Sequence, residues 1–392
     1  MSGFFTSPRI AWGTGAIEQL SGLEARKASV IVDPNVAGGE GFRRIVEELQ
    51  KSDTIVEVVT ADPGVPHVAN AQTLARRLAT FGPDWIVAVG GGSTVDLAKV
   101  ARALHERPEL APEGLNPLTD LPSPPRARLV AAPTTSGRGS EASWSATVLN
   151  AEGDPVEPMH RGFVPDWALV DPALARSMPW DVALDAGVEA LGHAIEAYVS
   201  AWSNPFSDAL ALDAAMGAFQ ALPALERWDN ADAFRARLHY SATAAGLAAS
   251  NAQLGVAHAL ANALLEPTGL PYGRLFGVAL VPALDFNYAS ARDRYATLGA
   301  YLATTDSRAP SDPRASARLS ESIGAVFDRL HFPRSLERAG ASRKSVDESR
   351  ARVVRRVGRS TATLANPRVP TAEDVERLLD TMLGDGADGG RT

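Results

Sequence analysis

The stretch Trp85–Lys99, WIVAVGGGSTVDLAK, decides the fold of this chain. Its first five residues are apolar on both faces, which is typical of a strand inside a parallel sheet. The glycines 90–92 then interrupt the strand, and a helical pattern of apolar residues begins after them. A buried strand, a glycine turn and a helix in this order predict an α/β unit.

The same alternation of short apolar runs and helical patterns continues on both sides of this unit. Further strands are predicted at 28–32, 54–59, 128–132 and 167–170, and further helices at 41–51 and 68–81. A run at 145–150 and a turn at 152–153 predict an antiparallel hairpin that helps to complete the sheet. Later in the chain only helices are predicted, at 181–201, 205–222, 231–249, 252–265, 274–288, 290–304, 313–330 and 346–357.

The change of pattern near residue 180 predicts two domains. Residues 1–180 are expected to form a Rossmann-like, nucleotide-binding α/β domain, and residues 181–392 an all-α domain that carries a metal or substrate site. A cleft between two such domains is a usual place for a ligand. The glycine-rich and aspartate-rich tail, 384–392, is predicted to be disordered.

Charge and composition exclude several classes of function. The 38 Lys and Arg residues against 46 Asp and Glu give a net charge of −8, and no basic run stands apart, so we expect no nucleic-acid partner and no membrane partner. The absence of cysteine excludes disulfides, thiolate metal sites and cysteine nucleophiles. No signal peptide or apolar span is recognised, so we expect a cytoplasmic protein. A homo-oligomer is left open.

The glycine turn itself is a candidate phosphate site. Gly90, Gly91, Gly92 and Ser93 follow a buried strand and open a helix. Glycines let backbone N–H groups approach an anion closely, and a helix N-terminus adds partial positive charge. We therefore predict that this loop binds the pyrophosphate of a dinucleotide. The alternative is a tight turn with no ligand.

Other polar residues near the predicted strand ends are further candidates for cofactor contacts. Asp33 ends the strand 28–32, where an acid accepts hydrogen bonds from a ribose; the alternative is a local turn before Pro34. A second polar loop, 133–141, follows the strand 128–132. Asp96 and Lys99 lie three residues apart on one helix face, where they meet a ribose or pair with each other at the surface.

Four segments together resemble the iron-containing (group III) alcohol dehydrogenase family. They are VAVGGGSTVDLAK (87–99), PTTSGRGSEAS (133–143), DAGVEALGHAIEAYVSAWSNPFSDALAL (185–212) and SNAQLGVAHALANALLEPTGLPYG (250–273). The resemblance spans nearly the whole chain. It implies an enzyme with a nucleotide-binding domain and a helical metal-binding domain, which interconverts an alcohol and an aldehyde or ketone with NAD(P).

The resemblance also implies which residues contact the cofactor. By position, Asp33 matches the acid that contacts the ribose, and Asp62 matches a polar residue that precedes a proline. The loop 90–93 matches the pyrophosphate site. The second cofactor loop is matched by Thr134, Thr135 and Ser143. The expected cofactor is NAD, with NADP the less favoured alternative.

The metal site that the resemblance implies is altered in this chain. The family holds its metal with one Asp and three His residues; the matching positions here are Glu189, His193, His258 and Tyr272. Asn262 stands where the family has a further histidine.

Arg138 stands at a fourth altered position, where the family usually has a small hydroxyl residue. These departures weaken the implied metal site.

Two interpretations of this altered site remain open. Glu189 and His193 are four residues apart on one helix, so with His258 they form a possible three-ligand site for Fe²⁺ or Zn²⁺. Alternatively the metal is lost, and the phenol of Tyr272 protonates the carbonyl oxygen while His258 or His193 orients it. The second interpretation makes Tyr272 and His258 the catalytic residues of a carbonyl reductase.

Two other functions compete with a reductase. Carbocycle-forming lyases of the same superfamily use a Glu/His/His metal site, which Glu189 would suit. A non-catalytic relative that still binds the cofactor would also combine an intact glycine loop with an altered metal site. The substrate of the favoured enzyme is a small alcohol or carbonyl compound.

The first prediction concerns the cofactor. We expect this chain to bind NADH more tightly than NADPH, because the Asp33 carboxylate accepts a hydrogen bond from a ribose 2′-hydroxyl and repels a 2′-phosphate. Fluorescence titration of the protein with each reduced cofactor measures the two affinities. Tighter binding of NADPH would contradict the role given to Asp33.

Overall fold

A six-stranded parallel sheet occupies the first half of the chain in the computed structural model, which describes residues 5–225, 232–303 and 319–384. In chain order the strands are β1 (Arg9–Trp12), β2 (Lys27–Val32), β3 (Ile55–Thr60), β4 (Trp85–Gly90), β5 (Arg128–Pro133), β6 (Val148–Leu149), β7 (Pro155–Val156) and β8 (Trp167–Val170). The sheet has the order β1-β8-β5-β4-β2-β3, and all of its pairs are parallel. The predicted α/β fold is confirmed, although β1 was not predicted.

The apolar sequence of β4 suits its place inside this sheet. All six of its residues are buried, and it pairs with β2 on one side and β5 on the other. Its apolar residues pack against helices on both faces, as an uninterrupted apolar strand requires. The carboxyl ends of these three strands therefore meet at one edge of the sheet.

The predicted hairpin forms, but its predicted place in the sheet is wrong. β6 and β7 pair with each other as a separate antiparallel sheet of two strands. The backbone N–H of Leu149 donates to the carbonyl of Pro66 at 2.9 Å, and that of Ala146 donates to Pro158 at 3.1 Å. Because loops take up these donors, β6 does not pair with a strand of the main sheet.

Helices cover the sheet and form the whole second half of the described chain. They are α1 (Glu40–Gln50), α2 (Val68–Phe81), α3 (Gly92–Glu106), α4 (Trp180–Val199), α5 (Pro205–Ala224), α6 (Asp232–Ala252), α7 (Val256–Thr268), α8 (Tyr272–Asn287), α9 (Arg292–Ala303), α10 (Leu319–Arg329), α11 (Arg343–Arg359), α12 (Thr361–Ala365) and α13 (Ala372–Leu383). The last two were not predicted.

Some sequence-based predictions fall on residues that the structure does not describe. The start of the helix predicted at 313–330, the last residue of the one at 290–304 and most of the tail predicted at 384–392 lie outside the described residues. No helix within the described ranges is long and apolar enough to cross a membrane.

The apolar cores follow the division of the chain. Two clusters of buried residues flank the sheet and come from the first half of the sequence, whereas one large cluster joins the helices from α4 to α13. Every residue of α4 from Ala183 to Val199 is buried, so this helix is the centre of the helical half. The boundary after residue 180 stays a prediction, which this separation of cores supports.

The two halves approach closely at a pair of glycines. Gly139, in the loop after β5, adopts a left-handed conformation with φ of +66°. A Cβ on Gly246 of α6 would collide with the backbone carbonyl oxygen of Gly139. Only residues without a side chain allow this contact, which holds the second polar loop against the helical half.

The glycine contact yields a prediction about stability. Gly246→Ala should lower the free energy of unfolding by about 1–3 kcal/mol, because backbone atoms must shift to admit the methyl group. Gly358→Ala in α11 is a matched control, since a Cβ there meets nothing within 4 Å, and helix propensity predicts a gain of about 0.5–1 kcal/mol. Urea denaturation measures both; an unchanged midpoint for Gly246→Ala would contradict the tight contact.

Candidate functional site

The glycine loop leaves the N-terminus of α3 open. Gly91 precedes α3 in an extended conformation, and among the described residues no side chain caps the helix. None of the glycines 90–92 has a positive φ, so they do not serve an unusual backbone conformation. Their lack of a side chain instead lets other groups come close to the backbone of the loop. A Cβ on Gly90 would lie 2.5 Å from Oγ1 of Thr94 and 2.9 Å from Cβ of Asp33. The free N–H groups of the first turn suit an anion such as a pyrophosphate.

Three predicted cofactor residues surround this loop. The N–H of Asp33 donates to Val89 at 2.9 Å, and the N–H of Thr134 donates to Gly90 at 3.0 Å. The hydroxyl of Thr135 would be 3.2 Å from a Cβ on Gly91. The structure therefore brings the ends of β2, β4 and β5 together around one open helix N-terminus.

The side chain of Asp33 makes the local turn that was its alternative role. Its Oδ1 accepts hydrogen bonds from the backbone N–H of Asn35 at 2.8 Å and from the Asn35 amide at 3.0 Å. Asp62 accepts a hydrogen bond from the side chain of Asn70. Contacts of Asp33 and Asp62 with a ribose stay predictions.

Asp96, Lys99 and Ser143 form a buried polar cluster. Asp96 and Lys99 do pair, with Nζ 3.9 Å from Oδ1, but the alternative that placed this pair at the surface is wrong, because Lys99 is 0% exposed. The ammonium donates to the carbonyl and hydroxyl oxygens of Ser143, both at 2.9 Å, and to the carbonyl of Ser145 at 2.8 Å.

Burial lowers the pKa of Lys99 to about 8, against the opposing carboxylate of Asp96. These groups hold the loop after β5 in place, and direct contacts between them and a cofactor stay predictions.

A second group of predicted residues meets around the phenol of Tyr272. Its hydroxyl oxygen lies 3.0 Å from Nε2 of His193 and 2.7 Å from Nδ1 of His258. Tyr272 begins α8, His193 lies in α4 and His258 lies in α7, so three helices converge on one hydroxyl group. The outer nitrogen of His258 lies 2.7 Å from Glu157, which also accepts from the amide of Asn262 and, at 3.0 Å, from Ser360.

Arg138 enters the same group from the loop after β5. Its Nε lies 3.4 Å from Glu189 Oε1, and its Nη1 lies 3.1 Å from Asp96 Oδ2. Its guanidinium carbon lies over the ring of Tyr272, 4.2 Å from the ring centre, where the face of the aromatic ring attracts a cation. Arg138 therefore contacts a carboxylate from each half of the chain and the phenol between them.

Burial and these charges set the protonation of the site. Burial raises the pKa of Glu189 to about 7, although Arg138 opposes the shift. Burial lowers the pKa of His193 well below its usual range, so this imidazole is neutral at pH 7. Burial also raises the pKa of Tyr272 well above its ordinary value, against the opposing charge of Arg138. The phenol is therefore protonated at neutral pH.

The donor set does not fit a divalent metal ion. The predicted ligands Glu189, His193 and His258 are not gathered around one point, and no group of three or more His, Asp or Glu side chains in the described ranges could hold an ion. Glu189 is paired with Arg138 instead, and a neutral phenol is a poor ligand. A dication placed here would be repelled by the neighbouring guanidinium.

An open pocket lies between the two halves beside this group. Arg138, His193 and His258 form part of its wall. Trp144 and Leu254 add apolar side chains to this wall.

Sequence reasoning missed Glu157 and the partners of Arg138. Glu157 follows β7 in the hairpin, where no periodic pattern indicates the direction of a side chain. Arg138 was recognised as unusual, but its pairing with Asp96 and Glu189 depends on tertiary contacts. A buried acid next to a histidine is visible only once the helices are packed.

Comparisons with known proteins agree with this architecture. A model of the family described as "Iron-containing alcohol dehydrogenase" matches residues 7–172, and "Fe-containing alcohol dehydrogenase family, C-terminal" matches residues 183–383. A solved structure of an iron-containing alcohol dehydrogenase from Thermococcus thioreducens has a TM-score of 0.85 and 27% identity, and the match covers 96% of this chain and 98% of that one.

Two named dehydrogenases are similar to this chain in sequence. An alcohol dehydrogenase of Thermococcus barophilus is 32% identical over 315 residues, which is 77% of this chain and 81% of that protein. An NADPH-dependent butanol dehydrogenase of Clostridium saccharobutylicum is 28% identical over 96% of this chain and 97% of its own length. These similarities confirm the predicted two-part architecture and the predicted class of enzyme, an oxidoreductase of the alcohol dehydrogenase type. The chain belongs to the iron-containing alcohol dehydrogenase family.

Proposed function

We propose that this enzyme interconverts a small alcohol and its carbonyl compound with a nicotinamide cofactor and without a metal ion. The observation that carries the proposal is the buried hydroxyl of Tyr272, held between the imidazoles of His193 and His258 and covered by the guanidinium of Arg138. These three neighbours, although not Tyr272 itself, line a pocket between the two halves. This arrangement offers a proton and a positive charge to one oxygen atom. Carbonyl reduction needs both when hydride arrives.

The cofactor would lie along the edge where β2, β4 and β5 end. The open N-terminus of α3 would hold the pyrophosphate, Asp33 would bind the adenosine ribose, and Thr134 and Thr135 would contact the remaining phosphate or ribose oxygens. The nicotinamide, when bound, supplies or accepts the hydride. NAD remains the proposed cofactor in preference to NADP.

The proton would come from Oη of Tyr272. The O–H bond breaks, the proton joins the carbonyl oxygen, and the phenolate that remains lies beside the Arg138 cation. The hydroxyl already contacts both His193 and His258, so a substrate oxygen would replace one imidazole. Because burial raises the pKa of Tyr272, the phenol is protonated at neutral pH and has a proton to donate when the carbonyl is reduced.

The two competing functions are less well supported. A lyase with a Glu/His/His metal site needs Glu189 as a ligand, whereas Arg138 pairs with this carboxylate. A non-catalytic relative would not need a protonated phenol between two imidazoles. Loss of reduced cofactor with a panel of small aldehydes, measured with and without chelator, distinguishes the three functions.

The glycine loop gives a direct test of cofactor binding. Gly91→Val should abolish binding of NADH, since the side chain would cover the N–H groups of α3, and its extended backbone accepts any residue. The three atoms nearest to a Cβ there all belong to the side chain of Thr135, at 3.2–3.9 Å, so a shift of this one side chain should admit the valine and the thermal midpoint should change little. Gly114→Val, where a Cβ has open space, is the control. Fluorescence titration that finds unchanged binding in Gly91→Val would show that the loop is only a turn.

The phenol can be tested by removing one oxygen atom. Tyr272→Phe should lower kcat for aldehyde reduction by about 10²-fold or more, within the range of general acid catalysis, and leave the affinity for NADH unchanged. Activity of the wild-type enzyme should be indifferent to chelator. Tyr295→Phe is a matched control, because Tyr295 is also buried in the helical half but does not contact the site. Full activity in Tyr272→Phe would refute the proposed donor.

A further inference from the structure

A buried cation stands at the junction of the two halves of the chain. The side chain of Arg138 is 17% exposed, and that exposed part faces the pocket between the halves. Its two carboxylate partners come from different elements, Asp96 from α3 and Glu189 from α4. The guanidinium is therefore fixed at the point where the sheet and the helical bundle meet.

We propose that the guanidinium of Arg138 takes the place of the metal ion in this site. It keeps divalent cations out of the group formed by Glu189, His193, His258 and Tyr272. It also presents positive charge to the substrate oxygen. The second role rests on the proposed function, whereas the first does not.

Arg138 would exclude a metal because it engages the residues at two of the four ligand positions. Its Nε pairs with Glu189, which is the only carboxylate among the residues at these four positions. Its guanidinium covers the ring of Tyr272, the position that would supply the fourth ligand. A divalent ion would have to break the ion pair and then lie beside a permanent positive charge with only two imidazoles as ligands.

The charge proposed at the substrate oxygen depends on the N–H groups of Arg138 that its two carboxylate partners do not engage. A guanidinium has five N–H donors in one plane, and two nitrogens of Arg138 face Asp96 and Glu189. The pocket that it lines is also lined by His193 and His258, the two partners of the Tyr272 hydroxyl. Tyr272 itself is buried behind these residues, so a substrate oxygen must replace one imidazole at its hydroxyl. An oxygen at that place would have the guanidinium that covers the same ring as a neighbour, and this charge would stabilise the developing alkoxide.

Metal binding tests the exclusion without any need for activity. Wild-type protein, Arg138→Gln and Arg138→Lys are dialysed against Zn²⁺, washed, and analysed for metal per chain, with affinities from calorimetry. We expect the wild type and Arg138→Lys to retain little zinc. Arg138→Gln should bind it at least about tenfold more tightly, since the carboxylate of Glu189 is then released to act as a ligand. Adding Tyr272→His to Arg138→Gln should increase occupancy further.

Kinetics test the electrostatic role on the same variants. We expect kcat for aldehyde reduction to fall by about 10²–10³-fold in Arg138→Gln, as for loss of one oxyanion donor, and by clearly less in Arg138→Lys, which keeps the charge. Arg237→Gln is the matched control for both measurements, since it loses an ion pair with Asp213 and neither residue lines the pocket.

The outcomes separate this inference from the proposed function. One tightly held zinc per wild-type chain, or unchanged zinc affinity in Arg138→Gln, would overturn the replacement of metal by Arg138 even if the enzyme reduces aldehydes. Equal rates for Arg138→Lys and Arg138→Gln would overturn the electrostatic role. Should no variant or wild-type protein reduce any aldehyde, the proposed function fails, while the metal measurements still decide whether Arg138 excludes the ion. If Arg138→Gln does not fold, the zinc content of the wild-type protein still tests the exclusion.

Discussion

A buried guanidinium must be paired, and the pairing of Arg138 organises the centre of this molecule. Removing a charge from water is costly unless opposite charges surround it, so the positions of Asp96 and Glu189 are constrained by Arg138 as much as Arg138 is by them. One carboxylate belongs to the α/β half and the other to the helical half. The close contact of Gly139 with Gly246 lies in the same loop and on the same interface. Relative movement of the halves would therefore expose or unpair a charge.

The fold was largely predictable because each half has a strong local signal. β4 is apolar on both faces, ends at a glycine and is followed by a helix, and burial of all its residues agrees with that pattern. β1 was missed because it is an edge strand of four partly exposed residues with no apolar alternation. The hairpin β6–β7 was recognised by its turn, but its separation from the main sheet depends on backbone donors of the hairpin bonding to loop carbonyls such as that of Pro66.

The site was predictable only in part. The resemblance to a family placed His193, His258 and Tyr272 on three helices, and they do meet at one hydroxyl. It did not indicate that Glu189 forms an ion pair with Arg138, or that Glu157, which follows the hairpin strand β7, contacts His258. Those contacts join residues about 50 and 100 positions apart, and their geometry follows from packing rather than from any periodicity in the sequence.

The helix α3 joins two parts of the site, the glycine loop and the ion pair of Arg138 with Asp96. Its first turn carries the open N–H groups of the glycine loop, and Asp96, four residues after Gly92, holds Arg138. At 1.5 Å per residue these two points are about 6 Å apart along a rigid axis. The helix therefore acts as a fixed spacer: one turn of hydrogen-bonded backbone sets the distance between the anion site and the carboxylate that pairs with Arg138.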